Sequence, residues 1–359
     1  MTSILLAGGG SAGHVSPMLA LADALRRRDP DTTLLALGTS EGLESRLVPA
    51  RGYRLALVPK VPMPRRPSAD LLRLPGALRA AVKAAEDAID EIDADVVVGM
   101  GGYVSTPAYL AARRRRVPIV VHEQNTRPGL ANRLGARFTS HVATTFEQTR
   151  LPHAVRVGMP LRREISTLDR TTSRASARAE LDLDGDRPTL LVTGGSLGAQ
   201  RLNETMAAAA PQLREAGVQV VHLTGAGKAD GLVDSPEYRV IEYLDRMELA
   251  YAAADLVLCR AGANTVCELT TVGLPAVYVP LPIGNGEQRL NAEPVVRAGG
   301  GLLVDNADLD ADWVRSNVIP LLGDADRISA MAKVAAAQGI RDADEKLADM
   351  VLLAAAEPR

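Results

Sequence analysis

The sequence has few cysteines and no long apolar run, and each shortage excludes a class of protein. Cys259 and Cys267 are the only cysteines, and their spacing fits neither a zinc pair nor a redox pair. We interpret both as reduced core thiols of a cytosolic protein. No run approaches the roughly 18 apolar residues that a membrane-spanning helix needs. The first residues, MTSILLAGGG, contain neither a basic region nor a cleavage site, so no signal peptide is expected.

Net charge is also close to zero, at −2. A value this small argues against a general nucleic-acid binder, and we expect no nucleic-acid partner. Hydrophobic residues make up 47% of the chain and charged residues 23%, which is typical of globular proteins rather than disordered or fibrous ones. A length of 359 residues is long for one core and fits two domains.

The chain begins with a strand, a glycine loop and a helix. Ser3 to Ala7 is predicted as the strand, the loop after it matches G-x-G-x-x-G, and a helix is predicted from about Pro17 to Arg28. In this context the motif places backbone N–H groups around an anion. A nicotinamide-dependent dehydrogenase also needs an acid at the end of the second strand, but Glu41 lies beyond that end. The dehydrogenase interpretation therefore ranks last.

The opening pattern recurs in the second half of the chain. Thr189 to Thr193 is predicted as a strand, and the glycine loop 194–199 and a helix follow it. Two halves that each start with an anion-binding loop predict an α/β protein with two domains. We place the domains at 1–160 and 161–335, and we expect a C-terminal helix over 336–359 to pack back toward the first domain.

The stretch around which the chain is organised is 255–291. A buried strand over Leu256 to Cys259 ends in a break, and Asn264 and Thr265 are predicted to cap a helix whose first turn carries Glu268. An open helix N-terminus suits a phosphate, because it offers free N–H groups and the positive end of the helix dipole. An acid one turn further on accepts hydrogen bonds from sugar hydroxyls. This combination predicts a nucleoside diphosphate site.

Candidate acid–base residues lie in the first half. Glu123 and Asn125 come at the carboxyl end of a predicted strand, where open parallel sheets place ligand-binding residues. His14 follows the first glycine loop, and a neutral imidazole beside an anion site can contact donor or acceptor oxygens. The G-x-S-x-G pattern around Ser196 does not indicate a serine hydrolase, because the only later histidine, His222, lies in a predicted strand close by.

Residues 51–83 carry eight Lys or Arg and a single acid. Two interpretations stay open for this segment and for the arginine run 113–116. One is a solvated helix face, and the other is contact with an anionic membrane, to which each basic residue near the surface contributes about 1 kcal/mol. The residues predicted for membrane contact are Arg65, Arg66, Leu71, Leu72, Arg73, Leu74, Leu78 and Arg79.

Seven motifs, spread over most of the chain, are GGSAGHVSP (9–17), GMGGYVSTP (99–107), HEQN (122–125), GMPLR (158–162), GGSLGAQRLN (194–203), CRAGANTVCELTTVGLPAVYVP (259–280) and GEQRLNA (286–292). In order and spacing they resemble the MurG family of bacterial transferases. Those enzymes move N-acetylglucosamine from UDP-N-acetylglucosamine to the lipid-linked muramyl-pentapeptide lipid I and form lipid II for peptidoglycan. The resemblance implies a GT-B fold, in which two Rossmann-like domains with parallel sheets face each other across a cleft. It also implies an inverting transfer to the muramyl 4-hydroxyl without a metal or other cofactor.

The resemblance further implies which residues bind UDP-N-acetylglucosamine: Ser11, Ala12, Gly13, Asn125, Arg162, Ser196, Leu244, Ala263, Asn264, Thr265, Val266, Cys267, Glu268, Gln288 and Asn291. Within this set Glu268 is implied to bind the ribose hydroxyls, and Gln288 the transferred sugar. For the base that accepts the proton of the attacking hydroxyl, His14 is our first choice and Glu123 our second.

A peripheral position on the cytoplasmic face of the bacterial plasma membrane is implied as well. Its partners would be lipid I, the anionic inner-membrane surface and other proteins of cell-wall synthesis and division. Two rival functions stay open at this point. A UDP-sugar 2-epimerase of the same architecture would convert the donor without an acceptor. A nucleotide-sugar-binding or scaffold protein would bind UDP without turnover.

Overall fold

The computed structural model of the chain describes residues 1–61, 70–196, 198–283 and 285–357, and of 70–73 it describes only the backbone. The chain divides into two compact units. The first combines Met1–Arg162 with Asp342–Arg359, and the second is Arg163–Arg341. The domain boundaries predicted from the sequence, at residues 160 and 335, fall slightly before Arg162 and Arg341, where the structure divides the chain.

The first unit is built on a seven-stranded parallel sheet with the strand order β3-β2-β1-β4-β5-β6-β7. Helices connect most of the successive strands, because parallel neighbours need a crossover connection. The elements up to the second unit are β1 (Ser3–Gly8), α1 (Ala12–Arg28), β2 (Thr33–Gly38), α2 (Glu44–Ala50), β3 (Arg54–Leu57), α3 (Asp70–Ile92), β4 (Val96–Gly101), α4 (Ser105–Arg115), β5 (Ile119–Glu123), α5 (Leu130–Gly135), β6 (His141–Thr144) and β7 (Ala154–Arg156).

The central strands of this sheet are apolar along their whole length, because helices cover both faces. All six residues of β4, VVVGMG, are buried. One apolar cluster joins the sheet to α1, and a second joins its other face to α3 and α4. This packing accounts for the continuous apolar runs from which the strands are predicted.

The second unit repeats the plan with a six-stranded parallel sheet in the order β10-β9-β8-β11-β12-β13. The bounds of β8 and β11 are those predicted from the sequence. The elements are α6 (Arg163–Ser166), α7 (Arg170–Glu180), β8 (Thr189–Thr193), α8 (Gln200–Glu215), β9 (Gln219–Leu223), β10 (Tyr238–Ile241), α9 (Met247–Ala253), β11 (Leu256–Cys259), α10 (Ala263–Val272), β12 (Ala276–Tyr278), α11 (Glu287–Arg297), β13 (Gly301–Leu303), α12 (Ala311–Trp313), a π-helical turn (Val314–Val318), α13 (Ile319–Leu322) and α14 (Ala325–Gln338).

Several elements differ from their sequence-based predictions. Helix α1 begins at Ala12 and not near Pro17, because the fully buried Val15 extends its apolar face toward the glycine loop. Strands β3 and β13 lie outside the predicted strands, since four and three residues are too few to show an alternation. Helix α14 belongs to the second unit, so the chain returns to the first unit only at Asp342.

The returning segment forms α15 (Ala343–Ala355), which packs against α1. Leu347 is fully buried in the apolar cluster that also contains α1 residues. At the rim, Arg27 pairs with Asp344 at 2.7 Å and Arg28 with Glu345 at 2.7 Å. The C-terminal helix is therefore part of the core of the first unit.

Leu347→Ala is expected to lower the free energy of unfolding by about 2–5 kcal/mol, because it removes buried methyl groups and leaves a cavity. Leu353, which is 64% exposed on the same helix, supplies the matched control. Leu353→Ala should change stability by less than about 0.5 kcal/mol. Urea denaturation of both variants checks this, and equal losses would show that α15 does not contribute to the core.

The segment predicted to contact a membrane is only partly described. Arg65 and Arg66 lie outside the described residues, as do the side chains of Leu71, Leu72 and Arg73. Leu74 is half-buried and Arg79 is exposed. Leu78 is half-buried and packs against the core cluster beneath α3, so only part of its side chain remains for the predicted membrane contact. No helix in the described part of the chain is long and apolar enough to cross a membrane.

Candidate active site

The first candidate half-site lies at the carboxyl edge of the first sheet, where the strand order reverses between β1 and β4. Open α/β sheets bind ligands at such switch points. The loops after the two strands touch each other there, and a Cβ atom on Gly102 would lie 2.4 Å from the Gly9 carbonyl oxygen. Gly102 also has a φ of +82°, so only glycine fits this contact.

His14 lies in the first turn of α1, directly after this loop. Its Nδ1 is 3.1 Å from the hydroxyl oxygen of Ser11, and its ring packs against Gly101. Burial lowers the pKa of His14 below its ordinary value of 6.5, although hydrogen bonding to the Gly9 backbone and the charge of Glu44 oppose this. The imidazole is therefore neutral at pH 7 and is able to accept a proton.

Glu123, the second candidate for the base, ends β5 and is 2% exposed. One carboxylate oxygen accepts the Asn125 N–H at 2.9 Å. The other accepts from the Gly129 N–H at 3.0 Å and from Asn132 Nδ2 at 2.9 Å. Burial raises the pKa of Glu123, and these hydrogen bonds oppose it in part. Because backbone and side-chain donors of the protein already occupy the carboxylate, the geometry favours His14 as the base.

Asn132 connects the two candidates. A Cβ atom placed on Gly101 would lie 3.2 Å from the Asn132 amide nitrogen, which donates to Glu123, and 3.1 Å from the His14 ring. Both side chains therefore lie against the same glycine. The amide oxygen of Asn132 accepts the hydroxyl of the buried Tyr109 at 2.8 Å. The structure thus brings His14, in the helix after β1, and Glu123, at the end of β5, to the same carboxyl edge of one sheet, with β4 between the two strands. Sequence reasoning did not predict Asn132.

Five more predicted residues belong to the first unit. Ser11 is the extended N-cap of α1, and Ala12 and Gly13 are the first two residues of that helix. Asn125 is half-buried, and its carbonyl accepts the Thr149 hydroxyl at 3.1 Å. Arg162 is the last residue before the second unit begins.

The second candidate half-site lies at the matching switch point of the second sheet, between β8 and β11. Helix α10 begins there, and its N-cap is Gly262 with no side-chain hydrogen bond. Asn264 and Thr265 were predicted to cap this helix, but they lie inside it, so that prediction is wrong. The consequence favours binding, because the N-cap Gly262 has no side chain to cap the first turn, and a helix N-terminus can bind an anion through its backbone N–H groups.

Arg260, which sequence reasoning passed over as part of a loop, lies directly between β11 and this helix N-terminus. Its side chain is 9% exposed and donates through Nη1 to the Val279 carbonyl oxygen at 3.1 Å. Burial lowers the pKa of Arg260, yet a guanidinium stays charged in proteins. A buried positive charge beside a helix N-terminus whose N-cap is a glycine is complementary to the negative charge of a diphosphate. The signal in the sequence was a lone Arg at the carboxyl end of a strand.

Glu268 lies in the second turn of α10 and not in the predicted first turn, because the helix begins at Ala263, before the predicted cap. The hydroxyl of Tyr251, a fully buried residue of α9, donates to Glu268 Oε2 at 2.6 Å. Arg170 in turn donates to the Tyr251 carbonyl oxygen at 2.9 Å. Tyr251, which sequence reasoning did not predict, therefore orients the predicted ribose-binding carboxylate.

Tyr251→Phe is expected to raise the KM for the nucleotide sugar about 3- to 10-fold with little change in kcat. The loss of one hydrogen bond to a charged group corresponds to about 1.5 kcal/mol or less in a partly open site, and substrate and transition state share the ribose contact. Steady-state kinetics check this. A fall in kcat at unchanged KM would contradict the orienting role.

The remaining predicted residues of the second unit lie in four places. Gln288 opens α11, and its Oε1 accepts the Leu281 N–H at 2.9 Å, which leaves its amide N–H groups to donate to a sugar. Asn291, one turn later, is 1% exposed. Ser196 is exposed in the loop after β8, and Leu244 is half-buried after β10. Residues 263–268, including Ala263, Val266 and Cys267, form the start of α10.

Comparison with known proteins agrees with this architecture. Two family models match, the glycosyltransferase family 28 N-terminal domain over residues 4–144 and the family 28 C-terminal domain over residues 189–347. A protein from a Nocardioides strain is 60% identical over 354 residues, which cover 97% of both chains. A Paenarthrobacter aurescens protein is 57% identical over 98% of this chain and 95% of its own. Both are named UDP-N-acetylglucosamine–N-acetylmuramyl-(pentapeptide) pyrophosphoryl-undecaprenol N-acetylglucosamine transferase.

Solved structures are similar over the whole chain. MurG from Acinetobacter baumannii superposes with a TM-score of 0.79 at 28% identity, covering 98% of this chain and 100% of its own. A UDP-GlcNAc 2-epimerase from Neisseria meningitidis reaches a TM-score of 0.70 at 14% identity over 98% and 100% of the two chains, a likeness of fold alone. The α/β architecture with two Rossmann-like units is the GT-B fold. With both halves matched by family models and full-length relatives above half identity, the chain belongs to glycosyltransferase family 28 and, within it, to the MurG family.

Proposed function

We infer that the protein transfers N-acetylglucosamine from UDP-N-acetylglucosamine to the 4-hydroxyl of the muramyl sugar of lipid I, with inversion, and so forms lipid II for peptidoglycan. The observation that carries this function is the half-site at α10. It combines a helix N-terminus with glycine at its N-cap, the buried Arg260 and the oriented carboxylate of Glu268, which are complementary to a diphosphate and a ribose. The relatives at 57–60% identity carry the name of this transferase.

The reaction follows from these groups. The acceptor oxygen forms a bond to the anomeric carbon as the bond from that carbon to the diphosphate breaks, and the acceptor proton passes to the neutral His14. Negative charge grows on the departing UDP. The first-turn N–H groups of α10 and Arg260 are the preorganised donors that stabilise this charge. We therefore propose that the transfer needs no metal, and EDTA should leave its rate unchanged.

The test is the transfer of labelled sugar from UDP-N-acetylglucosamine to a short-chain lipid I analogue. We expect one disaccharide product, in which the new glycosidic bond is β, and no reaction without the acceptor. Conversion of the donor alone to its 2-epimer, followed by NMR, would assign the protein to the epimerases. Binding of UDP without any turnover would instead favour a nucleotide-sugar-binding protein.

We also propose that the protein works at the cytoplasmic face of the plasma membrane and contacts anionic lipid through its first unit. The exposed Arg79 and the basic residues before it support this. The arginine run contributes less than its sequence suggests, because Arg114 and Arg115 pair with Glu86 and Asp90 of α3. Other proteins of cell-wall synthesis and division are further candidate partners.

Vesicle sedimentation tests the membrane contact. Replacing Arg65, Arg66, Arg73 and Arg79 by Gln should weaken binding to phosphatidylglycerol vesicles about 10-fold or more, since each basic residue contributes about 1 kcal/mol. Turnover with the short-chain acceptor should not change. Phosphatidylcholine vesicles are the control. Unaltered sedimentation of the fourfold variant with the anionic vesicles would reject this surface.

A further inference from the structure

Glu44 lies beneath the glycine loop of the first unit, at the start of α2, and no motif of the sequence singles it out. Its side chain is fully buried. Carboxylate oxygen Oε2 accepts the Gly10 N–H at 2.8 Å. Oxygen Oε1 accepts the Thr39 N–H at 2.8 Å and the Thr39 hydroxyl at 2.9 Å. Burial alone would raise the pKa of Glu44, but the hydrogen bonds, first that from Gly10, hold it below its ordinary value. The group is therefore a buried carboxylate.

Three glycines make room for this carboxylate. A Cβ atom on Gly9 would lie 2.6 Å from Glu44 Oε1, one on Gly42 2.1 Å from Oε2, and one on Gly38 2.3 Å from the Glu44 Cγ. These distances are too short for any side chain. A side chain at any of these three positions would displace the Glu44 side chain, which accepts the Gly10 N–H of the loop.

The hydrogen bond from Gly10 to Glu44 changes the role of the glycine loop in anion binding. In dinucleotide-binding folds the loop N–H groups point at a phosphate, and an acid after the second strand binds a ribose. Here the acid after β2 turns back onto the loop and takes the N–H of Gly10. A negative charge directly behind the loop also disfavours a second anion at that N–H.

The residues after Gly10 depend on this contact. Ser11 is the next residue and the N-cap of α1, and its hydroxyl oxygen is 3.1 Å from Nδ1 of His14. Gly10 has a φ of +88°, a conformation that glycine adopts but does not prefer strongly over others. An external contact is therefore needed to hold the loop in one conformation, and the carboxylate provides it.

We propose that Glu44 is a positioning residue, which fixes the glycine loop through Gly10 and thereby sets the place of Ser11 and His14 for proton transfer. The inference rests on the proposed transferase function. Glu44 does not touch either substrate in this scheme. It acts on the rate only through the loop.

Glu44→Gln separates this role from simple support of the turn between β2 and α2. An amide offers one acceptor oxygen, whereas three donors face the carboxylate. The amide oxygen is expected to accept from Thr39, which supplies two of these donors, its N–H and its hydroxyl. The amide NH2 group then faces the Gly10 N–H, donor against donor, and the loop is displaced. Thr39→Val is the matched control, because it removes one donor from Oε1 and leaves the Gly10 contact in place.

The experiment compares these variants in steady-state transfer with the short-chain acceptor, in UDP binding by calorimetry and in thermal unfolding. For Glu44→Gln we expect a loss in kcat of about 10- to 100-fold, because displacement of a catalytic group by about 1 Å has costs of that order. The affinity for UDP should stay within about twofold, since most of the predicted nucleotide contacts, among them Glu268, lie in the second unit. Thr39→Val should stay within about threefold in kcat.

The double variant His14→Ala/Glu44→Gln adds a readout that a purely structural role would not produce. If Glu44 acts through His14, the double variant is no slower than His14→Ala alone, because coupled residues are not additive. Additive losses, or equal losses in Glu44→Gln and Thr39→Val, would overturn the proposal. Should Glu44→Gln not fold, Glu44→Asp serves in its place, because the shorter side chain retains the charge but loses its reach to Gly10. Absence of transfer by the wild-type protein would instead refute the proposed function.

Discussion

Glu268→Ala is expected to lower kcat/KM for UDP-N-acetylglucosamine by about 100-fold or more, mainly through KM. The carboxylate is predicted to accept hydrogen bonds from the ribose hydroxyls, and a hydrogen bond to a charged group contributes about 1.5–3 kcal/mol. Two such bonds exceed the 2.8 kcal/mol that corresponds to about 100-fold. The ribose does not react, so substrate and transition state lose the contact equally.

Glu293→Ala is the matched control for this variant, because Glu293 is an acid of α11 that pairs with Arg297 at the surface. It should leave both kinetic constants unchanged within about twofold. A 2′-deoxyribose donor sharpens the test, since it should lose activity with the wild type but little with Glu268→Ala. Near-normal turnover of Glu268→Ala with the natural donor would refute the predicted nucleotide site.

His14→Ala is expected to lower kcat by about 10²- to 10⁴-fold, the usual contribution of a positioned base. The KM for the donor should change little, because the nucleotide is predicted to bind the second unit. His153→Asn is the control, since His153 is exposed and its φ of +56° is one that Asn tolerates. Retention of near-normal turnover in His14→Ala would leave the base unassigned.

The pH profile of the wild type gives an independent check on His14. Burial lowers the pKa of this imidazole below 6.5, and the base acts in its neutral form. The rate should therefore be maximal at pH 7 and fall only as the pH drops through the lowered pKa. A rate that already declines between pH 8 and pH 7 would contradict this assignment.

Much of the fold is readable in the sequence, because its signals are local. The buried strands are continuous apolar runs, and the observed bounds of β8 and β11 are those predicted. Both glycine loops follow such strands directly. Short edge strands escaped prediction, since β3 and β13 carry no clear pattern. The start of α1 was misplaced because Pro17 resembles a helix beginning, whereas Val15 is already buried in the core.

The candidate site, like the fold, has some features that the sequence predicts and others that only the tertiary structure shows. The sequence by itself determined that the chain has two α/β halves, each with a glycine loop at the carboxyl end of a strand, and that Glu268 lies one turn into a helix, because these relations depend on neighbours in the chain. The tertiary structure decided which groups hold the predicted residues. Glu44 reaches Gly10 across 34 positions, and Tyr251 reaches Glu268 across 17. Such contacts form only when the sheets bring distant residues together, so no local sequence pattern predicts them.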